Sequence, residues 1–274
     1  MIQPEITILV NSSDGFEDCW DPFFYLFKKH WPGCTYPILL NTEIKDYKYA
    51  GLNIKASKAN APYPHRRLTW SECLKEALGQ IETPLVLYMQ EDYFIDKPVA
   101  NKTIELFANK MLHNTSISYV GLTHFGSYPP FVLYSGDKDF FEITKKARYR
   151  VSTQAGLWNR QTLQSLILPD ENGWMFEIFG TQRAKRTSEV YLTANRNLYN
   201  PANGTAIIDY TLTGIIKGKW HVAIPALFAS HNLNMDFAKR GFYKEKPFLL
   251  RKIETVRKLL SDPLKFYTRM WGKI

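Results

Sequence analysis

The chain has 274 residues, of which 45% are hydrophobic and 22% are charged. These values exclude a disordered, collagen-like or coiled-coil protein and are typical of one large α/β domain, with or without a tail. Because no apolar run approaches roughly 18 residues and no basic, apolar leader opens the sequence, we expect neither a membrane-spanning helix nor a secretory signal. The three cysteines lack metal or redox spacing, which favours small buried thiols in a cytoplasmic protein.

The net charge of +9 is concentrated near the C-terminus. Residues 239–274 hold eleven Lys and Arg against three Asp and Glu, with apolar residues at helical spacing between them. This pattern predicts a globular domain over 1–238 and a basic amphipathic helical tail over 239–274. Such a tail either binds an anionic membrane surface or packs on the domain with its cations in solvent. No nucleic-acid-binding signature is present, so we do not expect a nucleic acid partner.

Strand and helix patterns alternate along the domain. Apolar runs predict strands over 5–10, 37–40, 84–89, 117–122, 131–134, 148–152 and 222–227. Helices are predicted over 20–31, after a capping box formed by Thr69 and Glu72, and around Leu163. This alternation predicts an α/β fold with a mostly parallel central sheet flanked by helices.

Two acidic residues, Glu91 and Asp92, directly follow the most apolar predicted strand. Sheets of this class bind ligands at the carboxyl ends of their strands, so these acids lie where a ligand is expected. Adjacent carboxylates repel each other unless a cation or solvent relieves them, and oxygen ligands favour Mg²⁺ or Mn²⁺. The alternative is that one acid caps the next turn while the other is solvated.

The triplet Gln90-Glu91-Asp92 resembles the metal-binding acidic motif of glycosyltransferases with the GT-A fold. The resemblance implies a GT-A-like fold and a divalent cation, Mn²⁺ or Mg²⁺, held mainly by Asp92, because Gln90 replaces the first acid of the motif. It also implies contacts with the diphosphate, ribose and base of a nucleotide-sugar donor. These contacts are assigned to Asn11, Ser12, Asp14, Asn41, Arg66, Arg67 and Glu91. For Arg66 and Arg67, an ordinary role as surface cations explains the sequence equally well.

A second motif lies in the other half of the domain. Ser152-x-Gln154-x-x-x-Trp158, a Leu-rich helix and then Trp174-x-Phe176-Glu177 resemble bacterial glycosyltransferase-like proteins encoded with surface-polysaccharide genes. The resemblance implies that Glu177 is the general base of an inverting transfer and that His231 contacts the metal or the diphosphate. It assigns acceptor binding to Gln154, Trp158, Trp174 and Phe176. The alternative is a helix-terminal acid at Glu177 with core aromatics on either side.

Together these patterns give one main hypothesis and one alternative. The first is a cytoplasmic enzyme, peripheral on the inner face of the plasma membrane, that transfers a sugar from a nucleotide-diphosphate sugar to a lipid-linked glycan in capsule or lipopolysaccharide synthesis. The alternative is a non-catalytic nucleotide- or glycan-binding subunit of the same fold. A nucleotidyltransferase ranks last, because residues 11–15 lack a glycine-rich basic loop. The main hypothesis requires Asp92 and Glu177 to share one crevice.

Overall fold

The computed structural model describes residues 5–211, 213–245 and 247. In this part of the chain a nine-stranded sheet forms the centre of the molecule, and a small two-stranded sheet lies beside it. The strands are β1 (Ile6–Asn11), β2 (Ile38–Leu40), β3 (Ile54–Ala56), β4 (Leu85–Gln90), β5 (Ile117–Gly121), β6 (Phe131–Leu133), β7 (Phe140–Ile143), β8 (Gly156–Asn159), β9 (Val190–Ala194), β10 (Ile215–Ile216) and β11 (Lys219–Trp220). The α-helices are α1 (Trp20–His30), α2 (Trp70–Gly79), α3 (Asn101–His113), α4 (Arg160–Leu166), α5 (Gly173–Met175), α6 (Thr181–Ala184) and α7 (Ile224–Ser230).

The strand order in the large sheet is β3-β2-β1-β4-β8-β5-β9-β7-β6. β1 pairs in parallel with both β2 and β4, and β5 pairs in parallel with β9. β8 and β7 run against their neighbours, so seven of the nine described strands share one direction. The order of the first four strands is that of a Rossmann-like half. The prediction of a mostly parallel sheet flanked by helices is confirmed.

Strand alternation divides the core between the two faces of the sheet. Ile8 of β1 and Leu87 of β4 are buried on one face, under α1, α3 and α7. Leu9 and Val86, their neighbours in the chain, are buried on the other face, under α2 and α4. Because both faces are covered, the strands are almost continuously apolar. The polar residues that follow them lie at the carboxyl ends of the strands.

Two of the predicted strands are wrong. Residues 148–152 form an irregular segment in which Tyr149 has a left-handed φ of 50°. Only residues 150–152 are buried, and the Arg150 guanidinium donates to the carbonyls of Ile143 and Glu189. The segment is thus held by side-chain contacts and not by sheet pairing. Residues 224–230 form helix α7, with Pro225 in its first turn, a position where proline is favoured.

Part of the predicted tail is attached to the domain. The backbone N–H of Trp220 donates to Gly241, and that of Tyr243 donates to Trp220. Arg240 forms an ion pair with Asp18. Residues 246 and 248–274, and with them most of the predicted amphipathic tail, lie outside the described residues. No described helix combines the length and the apolar character needed to cross a membrane.

Candidate active site

A cleft of about 360 Å³ opens at the carboxyl ends of the central strands β1 and β4. The last residues of β1 and β4, Asn11 and Gln90, are register partners and both line this cleft. Because β8 runs antiparallel to β4, the residues before its start at Gly156 reach the same edge. Thr153 and Gln154 therefore lie opposite the ends of the parallel strands, where ligands of such sheets bind.

Glu177 lies in the wall of the cleft, on a helical segment that runs from α5 to α6. The Asn172 side chain caps the segment by accepting from the backbone N–H of Met175, and the turns then widen into a π-helix over Phe176–Gly180. π-helical turns are rare and occur frequently at functional sites. This turn presents the partly buried Glu177 carboxylate to the cleft.

The hydrogen bonds of Glu177 all reach one oxygen. Its Oε1 accepts from the backbone N–H of Thr153 at 2.8 Å, the Thr153 hydroxyl at 2.9 Å and the Ser152 hydroxyl at 3.4 Å. Burial raises the pKa of Glu177, and these hydrogen bonds oppose that rise. No described residue donates to Oε2. The carboxylate is thus more basic than an exposed glutamate and retains one oxygen for a ligand.

A buried ion pair supports the segment that carries Glu177. Arg183 of α6 donates two hydrogen bonds to the Glu171 carboxylate, at 2.7 and 2.6 Å, and both side chains are fully buried. Arg183 also donates to the carbonyl of Leu166, the last residue of α4. The pair therefore ties both ends of the segment to the neighbouring helix.

The two acids after β4 lie in a turn, in which the backbone N–H of Tyr93 donates to the carbonyl of Gln90 at 3.1 Å. Glu91 lines the cleft, whereas Asp92 does not. Asp92 Oδ2 accepts from the Thr213 hydroxyl and, at 2.9 Å, from the backbone N–H of Ile215, while its buried Oδ1 has no partner among the described residues. Burial raises the pKa of both acids, and the charge of Asp92 raises that of Glu91 further. The expectation that Asp92 and Glu177 share one crevice is therefore not met by the residues that line this cleft, where Glu91 lies with Glu177 instead.

Of the predicted donor residues, Asn11 and Ser12 line the cleft, and two others lie behind them. Asn41 is buried and donates to Asn11 Oδ1 at 2.8 Å. The Asp14 carboxylate accepts from the backbone N–H groups of the loop that begins at Glu43. Asn41 and Asp14 therefore shape the strand ends from outside the cleft.

The two predicted phosphate-binding arginines do not line the cleft either. Arg66 pairs with Glu72 at 2.9 Å, and Arg67 pairs with Glu43 at 2.7 Å. Both arginine side chains are more than half exposed. The structure thus favours the surface-cation interpretation of both residues.

Of the four predicted acceptor residues, two line the cleft and two are buried in the core. Trp174 and Gln154 line the cleft. Trp158 is fully buried on β8, with its ring 4.3 Å from that of Tyr119, and Phe176 is buried beneath Trp70. Both aromatic side chains are core residues, because their positions on a central strand and on the inner side of the helical segment direct them away from the edge.

Several residues of the cleft were not predicted as site residues, among them Tyr93 and Thr153. Tyr93 stacks on Tyr210, a buried residue outside the cleft lining, with ring centroids 4.6 Å apart, and both hydroxyls bond to the Gln154 amide. The Tyr93 hydroxyl also donates to the carbonyl of Thr153. Thr153 lies between the motif residues Ser152 and Gln154. The motif therefore identified the segment but did not predict a role for Thr153. Tyr210 has no neighbouring sequence signal, since only the fold brings it behind the cleft residues Tyr93 and Gln154.

His231 lies away from the residues that line the cleft. Its Nε2 is 3.4 Å from Asp96 Oδ1, and its ring is 5.4 Å from that of His30. Its predicted contact with a cation at the Glu91–Asp92 pair is therefore not present in this structure.

No protein-family model and no curated protein sequence matches the chain significantly. Among solved structures, the chain is similar to S. aureus TarS 1–349, with 15% identity and a TM-score of 0.45 over 70% of this chain and 57% of that one. It is also similar to glucosyl-3-phosphoglycerate synthase from Mycobacterium tuberculosis, in complex with Mn²⁺, UDP-glucose and glycerol 3-phosphate. For that structure the identity is 11% and the TM-score is 0.39, over 65% of this chain and 64% of that one. The chain thus spans less than two thirds of the length of each.

Proposed function

We propose that this protein is a glycosyltransferase that moves a sugar from a nucleotide-diphosphate sugar to an acceptor hydroxyl, with Glu177 as the general base. The observation that carries the proposal is that Glu177 and Glu91 line one cleft at the sheet edge. One carboxylate suits a proton from an acceptor, and the other suits a cation beside a phosphate group. The motif resemblance of residues 152–177 also names Glu177 as the base. That of residues 90–92 also implies a cation at this acidic pair, but it names Asp92 as the main ligand.

The donor nucleotide would bind at the ends of β1 and β4. Asn11 and Ser12 offer polar groups to a base and ribose, and Phe16 adds an aromatic ring to the same wall. Ser12 is held in place by Trp20, whose indole N–H donates to its hydroxyl at 2.8 Å. A pocket of this composition, with apolar walls and a few fixed polar groups, is typical of small-ligand sites.

A divalent cation fits the acidic pair beneath the diphosphate. Glu91 would hold the ion from the cleft wall, and the buried Asp92 Oδ1, which has no described partner, would offer a second oxygen. Mg²⁺ and Mn²⁺ bind through one or two carboxylates together with substrate phosphates. When bound, the ion would offset the charge on the leaving diphosphate.

Glu177 would accept the proton of the acceptor hydroxyl as its oxygen attacks the anomeric carbon. The new bond to that carbon forms while its bond to the phosphate oxygen breaks, and the nucleoside diphosphate leaves with the electron pair. One displacement from the opposite face inverts the anomeric centre. The two donors on Thr153 keep Oε1 oriented, so Oε2 is the oxygen available for the proton.

The acceptor would lie between Trp174 and Trp70, whose rings line the same cleft as Glu177. Aromatic rings suit the C–H face of a sugar, so the proposed acceptor is a glycan. A lipid-linked acceptor, a role in bacterial surface-polysaccharide synthesis and attachment to the inner membrane surface belong to the same proposal. Their support is the motif resemblance and the basic composition of residues 239–274.

Calorimetry with UDP-, GDP- and CMP-sugars, with and without Mn²⁺, tests the proposal on the full-length protein. We expect one nucleotide class to bind in a Mn²⁺-dependent manner and to be hydrolysed slowly when water replaces the acceptor. Binding without hydrolysis, independent of metal, would favour the non-catalytic subunit. Failure of every donor to bind would contradict the transferase and the nucleotide-binding subunit, and would leave only a glycan-binding subunit.

A further inference from the structure

Three residues outside the cleft bring together a set of metal-ligating groups. His30 is the last residue of α1, His231 follows α7, and Asp96 lies in the segment after β4. One ligand atom from each lies within 4.8 Å of the other two. None of the three lines the cleft. The fold therefore brings two imidazoles and a carboxylate together from three separate parts of the chain.

One residue of the cluster, His30, has a ring nitrogen without a partner in the described part of the chain. His30 Nε2 is buried and has no hydrogen-bond partner among the described residues. Buried polar atoms are nearly always paired, so such an atom calls for an explanation such as a bound ion. Burial, followed by the neighbouring His231, lowers the pKa of His30, which favours the neutral imidazole that binds metals.

We propose that His30, Asp96 and His231 form a Zn²⁺ site that ties the C-terminal ends of α1 and α7 together. Two imidazoles and one carboxylate are a known zinc ligand set, with water in the fourth position. Imidazole nitrogen also selects Zn²⁺ over Mg²⁺, which prefers oxygen. Tetrahedral zinc needs its ligand atoms about 3.3–3.6 Å apart, so small side-chain rotations close the site.

Access and burial fit such an ion. The His231 side chain is only 9% exposed, whereas that of Asp96 is 42% exposed. The ion can therefore enter from solvent past Asp96 and be enclosed by the two imidazoles. Once bound, it would hold α7 and the segment that follows it against the end of α1.

Zinc binding at His231 requires the neighbouring Lys29 side chain to move. Its Nζ lies 2.8 Å from His231 Nδ1, so the lysine donates to that nitrogen and the ring proton lies on Nε2, facing Asp96. Zinc on Nε2 displaces that proton, and Nδ1 then carries a hydrogen that faces the lysine cation. The exposed Lys29 side chain must swing away. Lys29→Gln supplies an acceptor for this hydrogen, and we expect it to tighten zinc binding, because partners of a ligating histidine tune affinity roughly 10–100-fold.

The test is calorimetric titration of the chelator-treated full-length protein with Zn²⁺ in the absence of nucleotide, and with Co²⁺ as a spectroscopic probe. We expect one ion per chain and a cobalt spectrum without a thiolate charge-transfer band. His30→Gln and His231→Gln should each weaken binding at least about tenfold. The matched control His65→Gln changes an exposed histidine outside the cluster and should leave affinity unchanged.

Two further variants separate zinc binding from the proposed function and from a failure to fold. Glu91→Gln alters the cleft and should not change Zn²⁺ binding. Asp96→Asn alters a partly exposed ligand, so it reports on the site if a histidine variant fails to fold. The site is overturned if the wild type binds no Zn²⁺, if a thiolate band appears, or if the histidine variants and His65→Gln bind alike.

Discussion

Thr153 donates twice to the same oxygen of Glu177, through its backbone N–H at 2.8 Å and its hydroxyl at 2.9 Å. Both bonds favour the ionised carboxylate and so oppose the rise in pKa that burial causes. They also fix the orientation of Oε1, since the donors come from one residue of the opposite segment. Thr153 thus both tunes and positions the proposed base.

Thr153→Val removes the hydroxyl while keeping the backbone donor and the side-chain shape. Because one bond to the charged form is lost, the pKa of Glu177 should rise further, and the acid limb of the pH profile for donor turnover should move to higher pH. Stability should fall by about 1 kcal/mol. Thr103→Val on α3 is the control, and an identical acid limb in the two variants would contradict the role of Thr153.

Glu177→Gln should change stability in a pH-dependent way. Since the pKa of Glu177 is raised in the folded protein, its contribution to the unfolding free energy is fully present below the unfolded pKa of about 4.3 and is lost as pH rises through the folded pKa. Each unit by which the pKa is raised corresponds to about 1.4 kcal/mol. Melting curves from pH 4.5 to 8 should therefore show the variant gaining stability over the wild type with rising pH. A difference in Tm that is constant across this range would contradict the raised pKa.

Arg183→Met should be strongly destabilising, because it leaves the Glu171 carboxylate buried without its cation. We expect a loss of about 3–5 kcal/mol in urea denaturation. Arg66→Met breaks the exposed pair with Glu72 and should cost at most about 1 kcal/mol. Equal costs for the two variants would show that the buried pair does not hold the Glu177 segment.

Alanine substitutions of the two acids after β4 should affect different properties, nucleotide binding for Glu91 and stability for Asp92. Glu91→Ala should lose Mn²⁺-dependent nucleotide binding with little effect on stability. Asp92→Ala leaves the Thr213 hydroxyl and the Ile215 N–H without their acceptor, and should cost about 1–3 kcal/mol. Calorimetry and thermal melting of the matched pair measure both effects. The reverse pattern would assign the cation to Asp92 instead.

The sequence predicted the central strands well, because burial on both faces leaves an unmistakable apolar run in β1 and β4. It also predicted that acids follow β4 and that Glu177 lies on a helical segment. It could not decide which acid faces the cleft, since that depends on how the chain leaves the sheet after Gln90. The apolar run at 222–227 was ambiguous for the same reason that short runs often are: its length suits a strand or a buried helix equally.

Tertiary packing decided the remaining site residues. Trp158 fits an acceptor site by type, but its place on the central strand β8 puts it in the core. Tyr210 comes to Gln154 from 56 residues away, through contacts that no local pattern encodes. His231 lies near His30 and Asp96 because α1 and α7 share one face of the sheet.

The most direct test of the central claim compares the wild type with Glu177→Gln, using the nucleotide sugar that binds most tightly, with Glu82→Gln as a surface control. Donor affinity and nucleoside diphosphate release are measured on the same preparations. If Glu177 is the base, the variant binds the donor as the wild type does, while release falls about 10²–10⁴-fold. Release at the wild-type rate from Glu177→Gln would show that the proton goes elsewhere, and the proposed mechanism would be wrong.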